Sequence, residues 1–185
     1  RVHPTLIPTR RLIANVEGAM NAVLVKGDAV GPTLYYGKGA GAEPTASAVI
    51  ADLVDVTRMH SADPEHRVPH LAFQPDAMAD LPILPMSEVI TSYYLRMRVE
   101  DKPGVLADIT RILADQQISI DAMFQREPAE GEDQTDIIML THQTREKNVD
   151  AAIARINGLP VVTGKVTRLR VEALLQQARV ALKRR

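Results

Sequence analysis

The sequence predicts an α+β chain: a compact β-α-β-β-α-β unit preceded by a smaller strand-hairpin-helix segment. Three observations predict it. Between residues 92 and 171, stretches of apolar residues at period two alternate with two stripes at period 3.6. Upstream, two apolar runs flank a Gly- and Pro-bearing turn and lead into a further helical stripe. Between these regions Pro64, Pro69, Pro75, Pro82 and Pro85 exclude helix interiors and central strands. The expected divisions are residues 1–60, a connector over 61–91, the β-α-β-β-α-β unit over 92–171, and a last helix over 172–185.

Val23, Leu24 and Val25 lead into Lys26-Gly27-Asp28-Ala29-Val30-Gly31-Pro32, and Thr33 to Tyr36 form the returning strand. A helix is expected from Pro44, because proline suits a first turn and Ala46, Val49, Ile50, Leu53 and Val56 make one stripe. In the connector, Leu71, Phe73, Leu81, Ile83 and Leu84 are expected to anchor an irregular path. The first strand of the main unit alternates Tyr93, Leu95, Met97 and Val99 with Tyr94, Arg96 and Arg98. Val105, Leu106, Ile109, Ile112 and Leu113 give the first helix. Ile118, Ile120, Ala122 and Phe124 give the second strand, and an acidic loop over 127–134 leads to a third strand over 135–141. Val149, Ala152, Ile153 and Ile156 define the second helix, which Gly158 and Pro160 stop, and 161–170 is the fourth strand. Each helix has a single apolar stripe, so both pack on one face of a four-stranded antiparallel sheet. Lys183-Arg184-Arg185 complement the negative end of the closing helix.

Composition narrows the function. The formal net charge is −1 and aromatics make up only 3% of residues, which argues against nucleic-acid and anionic-membrane partners. The absence of cysteine removes disulfides, thiolate metal sites and thiol nucleophiles. No apolar run reaches the roughly 18 residues of a membrane span, no secretory signal is present, and the expected compartment is the cytoplasm. A start at Arg1 rather than Met points to a fragment.

Two motifs carry chemistry. In Asp101-Lys102-Pro103-Gly104-Val105-Leu106, proline pre-sets a helical φ and Gly104 admits close approach. Asp101 suits either a helix cap or a ligand ammonium, and the free N–H groups of the first turn favour a carboxylate. A free amino acid offers both groups. These residues alone favour the plainer reading, a capped helix start that binds nothing. The second motif, Gly37-Lys38-Gly39-Ala40-Gly41, lies between a strand and a helix, where backbone can approach a cofactor. Its spacing is not G-x-G-x-x-G and no acidic ribose ligand follows, so a whole dinucleotide-binding unit is rejected. A tight strand-to-helix turn is the alternative. His66 and His70 have a helical metal-pair spacing, but Pro69 between them favours a solvated loop, and no metal is expected. Asp52 and Asp55 read as a solvated helix face, Arg96 and Arg98 as a solvated or interface face. No Ser-His-Asp set has supporting context.

The segment from Tyr93 to Arg170, with Asp101-Lys102-Pro103-Gly104 after its first strand and Ile118-Ser119-Ile120 opening its second, resembles an ACT domain, a ferredoxin-like fold that binds amino acids at that loop. Upstream, Val2-His3-Pro4-Thr5-Leu6-Ile7-Pro8, Asn15-Val16-Glu17-Gly18-Ala19-Met20-Asn21-Ala22, Gly27 to Thr33, Tyr36 to Gly41 and Pro44 to Val49 resemble the end of the catalytic region of the homoserine dehydrogenase family. That resemblance implies an NAD(P)-dependent oxidoreductase of threonine and methionine biosynthesis. It places Gly41 beside the nicotinamide end of the cofactor, with Gly39 and Ala40 shaping the loop. No catalytic residue falls in this segment: the dinucleotide fingerprint, the catalytic lysine and the substrate acids have no counterparts, and Lys26 and Lys38 do not fill those roles. The segment alone is therefore expected to be inactive and to bind no whole cofactor. The resemblance further implies L-threonine, or another small amino acid, as an effector held by Asp101, Pro103, Gly104 and Val105. Ser119 and Asp121 would reach it from a neighbouring subunit of a homodimer or tetramer. The alternative is an ACT domain that serves oligomerisation without a ligand.

Overall fold

The computed structural model describes residues 1–62, 75–128 and 130–172. Its elements in chain order are β1 (Thr5–Leu6), β2 (Met20–Gly27), β3 (Gly31–Lys38), α1 (Ala42–Ser61), β4 (Ile90–Glu100), α2 (Val105–Asp115), β5 (Ile120–Gln125), β6 (Gln134–Thr141), β7 (Thr144–Arg145), α3 (Glu146–Asn157) and β8 (Val162–Val171). They fall into two compact units, one of residues 9–82 and one of 1–8 with 83–185. Among the described residues no helix is long and apolar enough to cross a membrane.

The smaller unit holds an antiparallel hairpin, β2 with β3, in unbroken register from Met20↔Lys38 to Gly27↔Gly31. Gly31 turns the chain at φ +78°. α1 follows, with Glu43 in its first turn and Arg58 and His60 in its last, each sign matched to the helix dipole. The expected stripe is present but uncovered: Val49, Ile50, Leu53 and Val56 are all more than half exposed. Asp52 and Asp55 are exposed as expected.

The larger unit has the predicted four-stranded antiparallel sheet, in the order β8-β4-β6-β5, with β1 added in parallel beside β8 and β7 paired to the start of β4. Alternation along β4 is strict: Tyr93, Leu95, Met97 and Val99 are buried, and so are Thr135, Ile137, Met139 and Thr141 of β6. Val105, Ile109, Ile112 and Leu113 of α2 and Val149, Ala152 and Ile156 of α3 close the core over that face. A buried side chain of this size stabilises by about 1.5–3 kcal/mol through removal of apolar surface from water.

Several expectations need correction. The expected four-stranded sheet gains a further edge strand from the upstream segment, for Thr5 and Leu6 pair with Arg170 and Val171. Leu81, Ile83 and Leu84 are not docked but 62–95% exposed, because no apolar surface among the described residues meets them. Ala122 and Phe124 do not continue the inward set of Ile118 and Ile120. The register shifts between Ile120 and Ala122, so Phe124 pairs with the outward Ile138 and is 54% exposed. A bulge residue at Asp121 moves every later side chain to the other face. Arg98 is not simply solvated, since Glu132 and Asp136 pair with it. Leu71 and Phe73, His66 and His70, and the helix expected beyond Glu172 lie outside the described residues.

Candidate functional site

β4 ends at Glu100 and the chain turns sharply into α2. The Lys102 N–H donates to the Glu100 carbonyl at 3.0 Å, and the Val105 N–H points to the Lys102 carbonyl at 3.4 Å. Gly104 stands at the helix N-cap with φ +94°, a left-handed conformation that disfavours other residues. The helix therefore starts one residue after Gly104, and Pro103 lies in the turn ahead of it rather than in its first turn. A Cβ added at Gly104 would meet nothing within 4 Å, so open space lies beside the loop. Val105 contributes backbone only, because its side chain is buried in the core.

Asp101 does not cap α2; no side chain caps that end. Its N–H is held by the Asp133 carbonyl at 2.8 Å. Its Oδ1 accepts a bond from Gln125 Nε2 at 3.3 Å, across from the far end of β5. One oxygen of an exposed carboxylate is thus oriented by an amide. Gln125 was missed in the sequence because its side chain meets Asp101 only once the two strand ends lie side by side. Lys102 pairs with Glu100 at 2.6 Å, and that hydrogen bond and charge hold its ammonium protonated to higher pH than usual.

Ser119 and Asp121 are exposed at the opposite end of β5. The Ser119 carbonyl accepts from the His142 N–H at 2.9 Å, and Asp121 lies 3.8 Å from His142 Nε2. Along β5 they lie roughly 13 Å (Asp121) and 20 Å (Ser119) from Gln125, the residue that meets Asp101, at about 3.3 Å per residue. One chain therefore does not bring the two halves of the expected effector site together.

In the Gly37–Gly41 run only Gly41 has a backbone reason to be glycine: it adopts φ +132° at the N-cap of α1. A Cβ at Gly39 would meet the Asn21 side-chain amide at 2.7 Å, which can move aside, and one at Gly37 would meet nothing within 4 Å. The backbone of Gly39, Ala40 and Gly41 is exposed. Such a turn suits a backbone contact with a nicotinamide ring, though not a dinucleotide site. Among the described residues no three His, Asp or Glu side chains converge as metal ligands.

Fold and loop together define an ACT domain, whose family model matches residues 93–161, while the homoserine dehydrogenase model matches residues 1–54. The crystal structure of homoserine dehydrogenase from Thiobacillus denitrificans is 74% identical, with a TM-score of 0.84 over 93% of this chain and 38% of that one. Homoserine dehydrogenases of Methylobacillus glycogenes and Pseudomonas aeruginosa are 64% and 56% identical over 94% of this chain. The chain matches the C-terminal part of homoserine dehydrogenases, the end of the family's catalytic region followed by an ACT domain. It spans 41% and 40% of the lengths of those two relatives.

Proposed function

We propose that the chain works as the regulatory end of a cytoplasmic, NAD(P)-dependent homoserine dehydrogenase, which interconverts aspartate semialdehyde and homoserine. Its ACT domain binds L-threonine, the pathway end product, as a feedback inhibitor. The exposed Asp101 carboxylate, oriented by Gln125 beside the open space at Gly104, carries this reading. The carboxylate suits the ammonium of an amino acid, and the turn's backbone suits its carboxylate group.

The strand directions support a two-chain site. β5 is the last strand of the sheet, so its outer edge is available for pairing. Antiparallel pairing of two β5 edges about a two-fold axis sets the start of one strand against the end of the other. Ser119 and Asp121 of one copy then face the Asp101 loop of the second. In this reading Gly39, Ala40 and Gly41 touch the nicotinamide end of NAD(P). The cofactor supplies hydride transfer when bound, and this stretch of chain contributes backbone to its placement. Because the segments that would hold the rest of a dinucleotide have no counterpart here, this 185-residue chain should show no homoserine oxidation with NAD or NADP. Turnover in a spectrophotometric assay of the pure chain would refute that.

A second reading keeps the same edge but no ligand. Met123 and Phe124 are exposed on β5, so pairing of two copies could serve assembly alone. Isothermal titration with L-threonine, against L-homoserine, L-serine and L-valine, separates the two. A sensor binds threonine selectively and loses it in Asp101→Ala. An assembly module binds none of the four, and Asp101→Ala leaves its oligomeric state unchanged.

A further inference from the structure

One row of residues crosses the whole sheet at the Ser119 end. Ile120 pairs with Thr141, whose Oγ1 accepts the Tyr93 N–H at 3.0 Å. Tyr93 pairs with Arg170, and Arg170 with Thr5. On the inner face the row is tied to the first residue of α3, for the Glu146 carboxylate accepts from Tyr93 Oη at 3.3 Å and from Arg170 Nε at 3.1 Å. At its outer end stands β1, which belongs to the stretch that matches the dehydrogenase family although it pairs with the ACT sheet. The contact that holds β1 is small: two residues in parallel register, the Glu172 N–H to the Leu6 carbonyl at 3.1 Å, and an Arg1–Glu172 ion pair at 2.5 Å. Leu6 itself stays 41% exposed. An edge strand held by so few contacts belongs to the parts of a fold that open locally at low cost.

We propose that β1 is a detachable strand whose docking on β8 is coupled to amino-acid occupancy at the Ser119 end of the same row. This rests on the sensor reading. A ligand that fixes Ser119 also orders the row from its far end, so ordering β1 then costs less and the coupling is positive.

The test uses the 185-residue chain with L-threonine as probe. Hydrogen exchange at the Glu172 amide reports docking and titration calorimetry reports affinity, each in the unsubstituted chain, in Arg1→Glu and in Arg1→Glu/Glu172→Arg. Saturating threonine should slow Glu172 exchange roughly five-fold or more, the lower end of ordinary coupling between sites. By linkage Arg1→Glu should speed that exchange and weaken threonine binding, and the double reversal should restore both. If threonine binds all three chains equally and leaves Glu172 exchange unchanged, β1 is a static edge cap and the proposal is overturned while the sensor reading stands. If threonine does not bind the unsubstituted chain, both fall.

Discussion

Glu146→Ala is expected to destabilise the ACT unit by about 3 kcal/mol, the usual consequence of removing one member of a buried ion pair. Glu146 is only 5% exposed, and it joins three groups drawn from two strands: Tyr93 of β4, and Arg168 and Arg170 of β8. Burial alone would push its carboxyl up. The Arg170 hydrogen bonds, the charges of Arg170 and Arg168 and the Tyr93 hydroxyl outweigh burial and hold it below the usual carboxylate range. Tyr93 is driven the other way, up to about 12, by burial and then by the Glu146 charge. Truncation would leave the Arg170 guanidinium, itself mostly buried, without its carboxylate. Thermal unfolding should fall by on the order of 10 °C, and Glu146→Gln, which keeps hydrogen-bonding capacity but not charge, should fall less. The pH dependence has a definite sign. A carboxyl depressed on folding stabilises above its unfolded pKa, and that contribution disappears as pH falls through the folded value. The native chain should therefore lose stability below about pH 4.5, and Glu146→Gln should lack that component of the loss. Equal melting temperatures for Glu146→Ala and the native chain would show the cluster to be energetically idle.

Gly104→Asp should abolish threonine binding, and Gly104→Ala should not do so to the same extent. Both substitutions place a side chain at φ +94°, at a cost of about 1–2 kcal/mol in left-handed strain. Neither strikes protein atoms, because the space beside Gly104 is open. The strain is no larger for Asp than for Ala, since a short polar side chain tolerates left-handed backbone better, so a greater loss of binding in Gly104→Asp comes from the new carboxylate, which would repel a ligand carboxylate and compete with Asp101 for its ammonium. Titration calorimetry of both variants, each checked for folding, reads the difference. Retained threonine affinity in Gly104→Asp would remove the loop from the site.

Much of the larger unit was legible because its signals are local and agree. Strict alternation from Tyr93 to Val99, one stripe per helix and the Pro-Gly turn all specify the same arrangement. What escaped depends on distant residues. The bulge at Asp121 leaves no mark in an alternation that reads smoothly through Phe124, and only pairing with β6 exposes the change of face. β1 is two residues long and its partner lies near the other end of the chain. Gln125 meets Asp101 because two strands run in the same direction, which period alone does not specify. The Gly39–Gly41 turn was legible as backbone-rich. The reason for glycine at Gly41, its φ of +132°, depends on how the chain enters α1, which no local pattern specifies.

The pairing of β1 with β8 also sets a schedule for synthesis. Arg1 and Glu172, which meet at the sheet edge, are 171 residues apart in sequence. At the usual pace of translation, about 5–20 residues per second, the first residue waits roughly 10 to 30 s for the last to be made. During that interval the leading strand has no edge to join. The β4–β6 and β5–β6 pairings, all closer in sequence, can form before β8 exists. On the ribosome, then, β1 is made well before β8 and finds its place in this sheet only after β8 has emerged.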